Sequence, residues 1–123
     1  MSDRYNAPWS INFNGKTTLT DSVVKTLTFK NTAGETTKCK QFDIRLDPAL
    51  GWAGKVHMKL HADPDAASSV ANTNFYLEGS DARQVKAYMC SKVEFLSIDA
   101  GALTCDIYVD CYSDEDIASA AFA

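Results

Sequence analysis

The chain has 123 residues, 46% hydrophobic and 23% charged, with a formal net charge of −4. That length suits one domain with its own hydrophobic core, and four cysteines in 123 residues are too sparse for a secreted disulfide framework. Charge is uneven: residues 1–61 hold nine Lys or Arg against five acids, a balance of +4, and residues 62–123 hold three against eleven, a balance of −8. In a sheet fold such halves interleave, so this split is no nucleic-acid footprint.

Taken in chain order, "MSDRYNAPWS" lacks the basic start and apolar run of a signal peptide. No apolar run approaches the roughly 20 residues of a membrane helix. The expectation is a protein folded in a cytosol, with neither membrane nor nucleic acid as partner. Residues 1–15, with Pro8, Trp9 and Gly15, read as an extended N-terminal arm that ends in a short strand at Ile11 to Phe13. "SVVKTLTFKN" then alternates at Leu27 and Phe29, and "NTAGET" is a turn. "CKQFDIRLD" places Phe42, Ile44 and Leu46 inward, with Asp43 and Arg45 outward. "DPALGWAGK" is a loop, and "KVHMKLH" is a strand with Val56, Met58 and Leu60 on one face and His57, Lys59 and His61 on the other.

"ADPDAASSVANTN" is the longest polar connection, "NFYLEG" a short strand, and "QVKAYMCSKVEFLSI" one broken strand or two. "LTCDIYVDCY" alternates strictly: Leu103, Cys105, Ile107, Val109 and Cys111 on one face, Thr104, Asp106, Tyr108, Asp110 and Tyr112 on the other. "VEFLSIDAGALTCDIYV" reads as a hairpin. Residues 113–123 read as a C-terminal tail that begins a short helix capped by Ser113. The fold class expected is all-β: an antiparallel β-sandwich or jelly roll over residues 16–112, with an N-terminal arm and a short tail.

The chemistry is then weighed on that fold. Cys105 and Cys111 share a face but lie about 20 Å apart along a strand, too far to form a disulfide or share a zinc. Free buried thiols are expected, with a Cys39–Cys90 pairing across sheets left open. His57 and His61 fall roughly 13 Å apart, so they are read as solvent-facing or interface residues rather than metal ligands. The acids around Asp63, Asp65 and Asp114 to Asp116 do not fit a calcium loop. No nucleophile elbow, phosphate loop or dinucleotide fingerprint occurs. No catalytic residue, metal or cofactor is assigned, and the chain is expected to be no enzyme. Trp9 and Trp52, in Pro- or Gly-containing loops, either plug the sandwich or anchor a partner. Tyr108 and Tyr112, set between aspartates, suit a polar interface.

"VKAYMCSKVEFLSIDAGALTCDIYVD" resembles a segment of small β-sandwich virion proteins of tailed bacteriophages, of the capsid cement or decoration type. The resemblance implies a non-enzymatic structural part that stabilises a shell between neighbouring capsid subunits. Its partner would be the major capsid protein or another virion protein, it would often be trimeric, and it would reside in the virion after synthesis in the host cytoplasm. The candidate interface residues are Trp9, Trp52, Tyr108, Tyr112 and Phe122. The alternative is a carbohydrate-binding β-sandwich module, with Trp52, Trp9 or Tyr108 as a stacking platform and Asp106 or Asp110 accepting sugar hydroxyls.

Overall fold

The computed structural model describes residues 10–63, 73–79, 82–113 and 117–123. The described elements are nine strands: β1 (Ser10–Leu19), β2 (Val24–Lys30), β3 (Cys39–Pro48), β4 (Lys55–His61), β5 (Thr73–Glu78), β6 (Ala82–Cys90), β7 (Lys92–Ile98), β8 (Cys105–Ser113) and β9 (Ser119–Phe122). Their pairing follows one rule. β1 pairs with β8, β2 with β7, β3 with β6 and β4 with β5, all antiparallel, as in a ribbon folded once at its middle. The ribbon then rolls up, because β8 also pairs with β3 and β7 with β4. Two sheets result, β1-β8-β3-β6 and β5-β4-β7-β2-β9. This is jelly-roll topology, with β9 as an added fifth strand beside β2.

Alternation explains which face of each strand is buried. β8 reads buried at every odd residue and partly exposed at Asp106, Tyr108, Asp110 and Tyr112, and β7 does the same in its own register. The space between the sheets is filled by side chains. Phe29, Phe42 and Phe95 are fully buried, and the Phe29 and Phe42 rings stack across the sheets with centroids 6.0 Å apart. Each such burial contributes about 1.5–3 kcal/mol.

Several expectations change. The arm is shorter than residues 1–15, since β1 begins at Ser10 and runs beside β8 for its whole length; Trp9 lies outside the described residues. The short helix expected after Ser113 has its first turn at residues 114–116, outside the described residues; beyond them Ser119–Phe122 forms β9, and Ser113 itself closes β8 with its hydroxyl donating to the Lys38 carbonyl at 2.9 Å. The expected hairpin of β7 and β8 is not one. The two strands lie in different sheets, because alternation fixes a strand's buried face and not its neighbour.

At one end of the roll three loops meet. Ala49 N–H donates to the Thr104 carbonyl at 3.0 Å, Ser22 N–H to Ser97 at 2.8 Å, and Ala100 N–H to Asp21 Oδ1 at 3.2 Å. A Cβ at Gly54 would stand 2.5 Å from the Ile98 carbonyl and 2.8 Å from Ala100 Cβ, so glycine is what lets the loop pass there. Trp52 seals this end from inside, only 8% exposed. Leu50, by contrast, is 100% exposed at the loop tip, with Leu103, Val23 and Val24 also exposed at the same end.

Candidate interaction surface

Strand β8 sits in the middle of its sheet, so its even residues become the centre of an outer face. Tyr108 is flanked in register by Lys16 of β1 and Arg45 of β3. The Arg45 guanidinium carbon lies 4.2 Å from the Tyr108 ring centroid and Lys16 Nζ lies 5.6 Å from it, a cation–π pair on one ring. On either side one acid opposes another: Asp43 faces Asp110, and Asp47 faces Asp106. Like charges directly across a ladder are destabilising, and at Asp106 the Thr18 hydroxyl and Lys16 offset this.

Local bonds hold the face in place. Thr18 Oγ1 donates to Asp106 Oδ1 at 2.6 Å, and Lys16 Nζ lies 3.3 Å from Asp106 Oδ2. The Thr18 hydrogen bond and Lys16 together hold the Asp106 carboxyl below its ordinary range, and the Asp106 hydrogen bond and charge raise Lys16. The Tyr112 hydroxyl bonds Asp43, and partial burial, then Asp43, push its pKa up. Asp43 Oδ1 is buried without a hydrogen-bond partner. Beside this face a shallow cavity of about 190 Å³ is lined by Asp47, Pro48, Ala49, Thr104 and Asp106.

The opposite sheet has its own outer row. Tyr76, His57, Leu96 and Val24 are successive register partners across β5, β4, β7 and β2. The His57 and Tyr76 rings stack at 4.5 Å, and Lys55 Nζ lies 5.9 Å from the Tyr76 ring. Tyr76 is 48% exposed. Sequence reasoning passed over it, although its alternation with Phe75 and Leu77 in "NFYLEG" was the available signal.

The sequence-nominated residues are thus dispersed. Tyr108 and Tyr112 share one face. Trp52 is a core residue and no surface anchor, because its loop folds inward over the end of the roll. Phe122 is half-buried against the core, its ring 6.2 Å from Phe95. His61 corrects the solvent-facing reading: it is fully buried, with Nε2 2.7 Å from Glu94 Oε1. Among the described residues, no group of three His, Cys, Asp or Glu is placed to hold a metal ion, and no helix is long and apolar enough to cross a membrane.

All four cysteines are free and buried. Cys39 and Cys90 are register partners on β3 and β6, neighbours in one sheet rather than across sheets as the sequence had suggested. Cys111 hydrogen-bonds the Cys39 thiol, which lowers Cys39 and raises Cys111, the latter helped by burial. Burial pushes Cys90 up and raises Cys105 to about 11.

No protein-family model matches the chain, and no curated protein matches it either.

Proposed function

We propose that this chain is a non-enzymatic structural virion protein, a capsid cement or decoration protein that stabilises a shell by binding between neighbouring capsid subunits. The observation that carries the reading is the jelly roll, eight strands paired as a folded ribbon and rolled. That architecture is used by viral capsid domains, lectins and cupins, and fold alone does not choose among them.

The residues favour the first. A cupin reading calls for polar ligands inside the roll, whereas the interior here is packed with Phe29, Phe42, Phe95, Met58 and their neighbours. A lectin reading calls for an open aromatic floor, whereas Trp52 is buried and Tyr108 lies between two cations. The outer face instead carries what a protein partner reads: tyrosines, an arginine and paired acids, one with an orphaned buried oxygen. In this reading the Tyr108–Tyr112 face packs on a neighbouring subunit, the apolar loop end around Leu50 and Leu103 adds a second contact, and the protein works as a trimer.

The shallow cavity lined by Asp47, Thr104 and Asp106 and the half-exposed Tyr76 ring favour the carbohydrate-binding alternative. One experiment separates the two. Purified chain is mixed with particles banded from its own source and run on a density gradient, beside a glycan array. Co-migration at fixed stoichiometry supports the virion reading. A chain that stays at the top of the gradient and binds a glycan overturns it.

A further inference from the structure

We propose that Cys39 and Cys90 form a reversible cross-strand disulfide that staples β6, the edge strand of its sheet, to β3. The two residues are direct register partners on antiparallel strands, both free thiols, at 0% and 2% exposure. Direct partners in an antiparallel ladder have Cα atoms about 4.5–5.5 Å apart, inside the about 4.4–6.8 Å span of disulfides.

The third thiol nearby has a different part. Cys111 hydrogen-bonds Cys39, yet its register partner on β3 is Phe42, three residues along. Cys111 is therefore not opposite Cys39 in its ladder, whereas Cys90 is. The Gln41 and Tyr112 carbonyls, each 3.3 Å from Cys39 Sγ, orient that sulfur, and Cys90 is its direct ladder partner. Cys105, six residues further down β8 from Cys111, is roughly 20 Å away and takes no part.

Access to these buried sulfurs comes from the position of β6. It pairs with β3 alone, at the edge of its sheet, and the ladder is already broken by a register shift between Cys39 and Gln41. The Cys90 end is tied by Ser91, whose N–H donates to the His61 carbonyl and whose hydroxyl donates to the Ala62 carbonyl, so the sulfurs become accessible when this anchor and the end of the β3–β6 ladder open together.

A low-molecular-weight disulfide such as oxidised glutathione is the oxidant. The Cys39 thiol loses its proton, and the thiolate attacks one glutathione sulfur; a Cys39–glutathione bond forms, the glutathione S–S bond breaks, and one glutathione thiolate leaves and takes up a proton. Cys90, deprotonated in turn, attacks the Cys39 sulfur. The Cys39–Cys90 bond forms and the second glutathione leaves as thiol. Two protein thiols are oxidised and one glutathione disulfide is reduced to two thiols. Of the three neighbouring thiols Cys39 is the one held below its ordinary range, while Cys90 and Cys111 are pushed up, in keeping with this order.

The inference stands whether or not the chain belongs to a virion. To test it, the folded full-length protein is incubated with oxidised glutathione below its melting transition, blocked with an alkylating reagent and mapped by peptide mass. The expected result is a Cys39–Cys90 linked peptide, alkylated Cys105 and Cys111, and a melting temperature raised until dithiothreitol is added. Cys111→Ala, which removes the side-chain donor beside Cys39, should form the same link more slowly. Cys90→Ser should stop at a glutathione adduct on Cys39. Four alkylated thiols in the oxidised wild type, or a link dominated by Cys39–Cys111, would overturn the proposal.

Discussion

The two faces of strand β8 divide the labour of the molecule. Inward, Cys105, Ile107, Val109 and Cys111 are all fully buried and contribute to the core. Outward, Asp106, Tyr108, Asp110 and Tyr112 are partly exposed, and two of them stand opposite another acid on β3. The inner face is arranged as folding demands. The outer face also sets acid opposite acid across the ladder, and Thr18 and Lys16 hold Asp106 there.

The largest effect should come from breaking the inner face. Ile107→Ala should cost about 2–5 kcal/mol, the range for a buried aliphatic truncated to alanine, read as a lowered midpoint in urea with an unchanged slope. At the loop end that caps the same core, Gly54→Ala should cost about 1–3 kcal/mol through overpacking against Ile98 and Ala100, checked in the same assay. On the outer face, Tyr108→Ala should cost about 1 kcal/mol or less, since it removes only half-exposed cation–π contacts. If Tyr108→Ala destabilised as much as Ile107→Ala, the division between the faces would fail.

The smallest effect is the most local. Asp106 has a depressed pKa in the folded state, so its contribution is complete above the unfolded carboxylate value of about 3.9 and is lost as pH falls through the folded value. Thr18→Val removes the leading cause, so the Asp106 titration followed by carboxyl NMR should move up toward that ordinary value. No movement would mean that Lys16 alone sets it.

Much of this molecule is written in its periodicity. The alternation places Phe42, Ile44, Leu46, Val56, Met58, Leu60, Ile107 and Val109 inward correctly, whereas Leu103, read on the same inner face, is exposed because it lies in the loop before β8. What alternation cannot carry is adjacency. A strand with one buried face satisfies the pattern equally as its predecessor's hairpin partner or as a strand of the facing sheet, which is why β7 and β8 looked like a hairpin. β9 escaped notice because four residues, "SAAF", are too few to show a period. The thiol group was hidden because Cys39, Cys90 and Cys111 meet only through the pairing of β3 with β6 and β8. Of the candidate surface, Tyr108 and Tyr112 were legible beside their aspartates, whereas Arg45 and Lys16 reach Tyr108 only through ladder register. His61 followed the outward parity of β4 and was buried all the same, paired with Glu94 on the next strand.

The most direct test is particle binding by the Tyr108→Ala/Tyr112→Ala double variant beside wild type, with both melting curves recorded first. The account predicts a variant that melts within a few degrees of wild type, about 4–8 °C per kcal/mol lost at most, yet remains at the top of the gradient while wild type bands with the particles. A variant that melts normally and bands at wild-type stoichiometry would contradict the claim that the outer face of β8 is where this protein meets its partner.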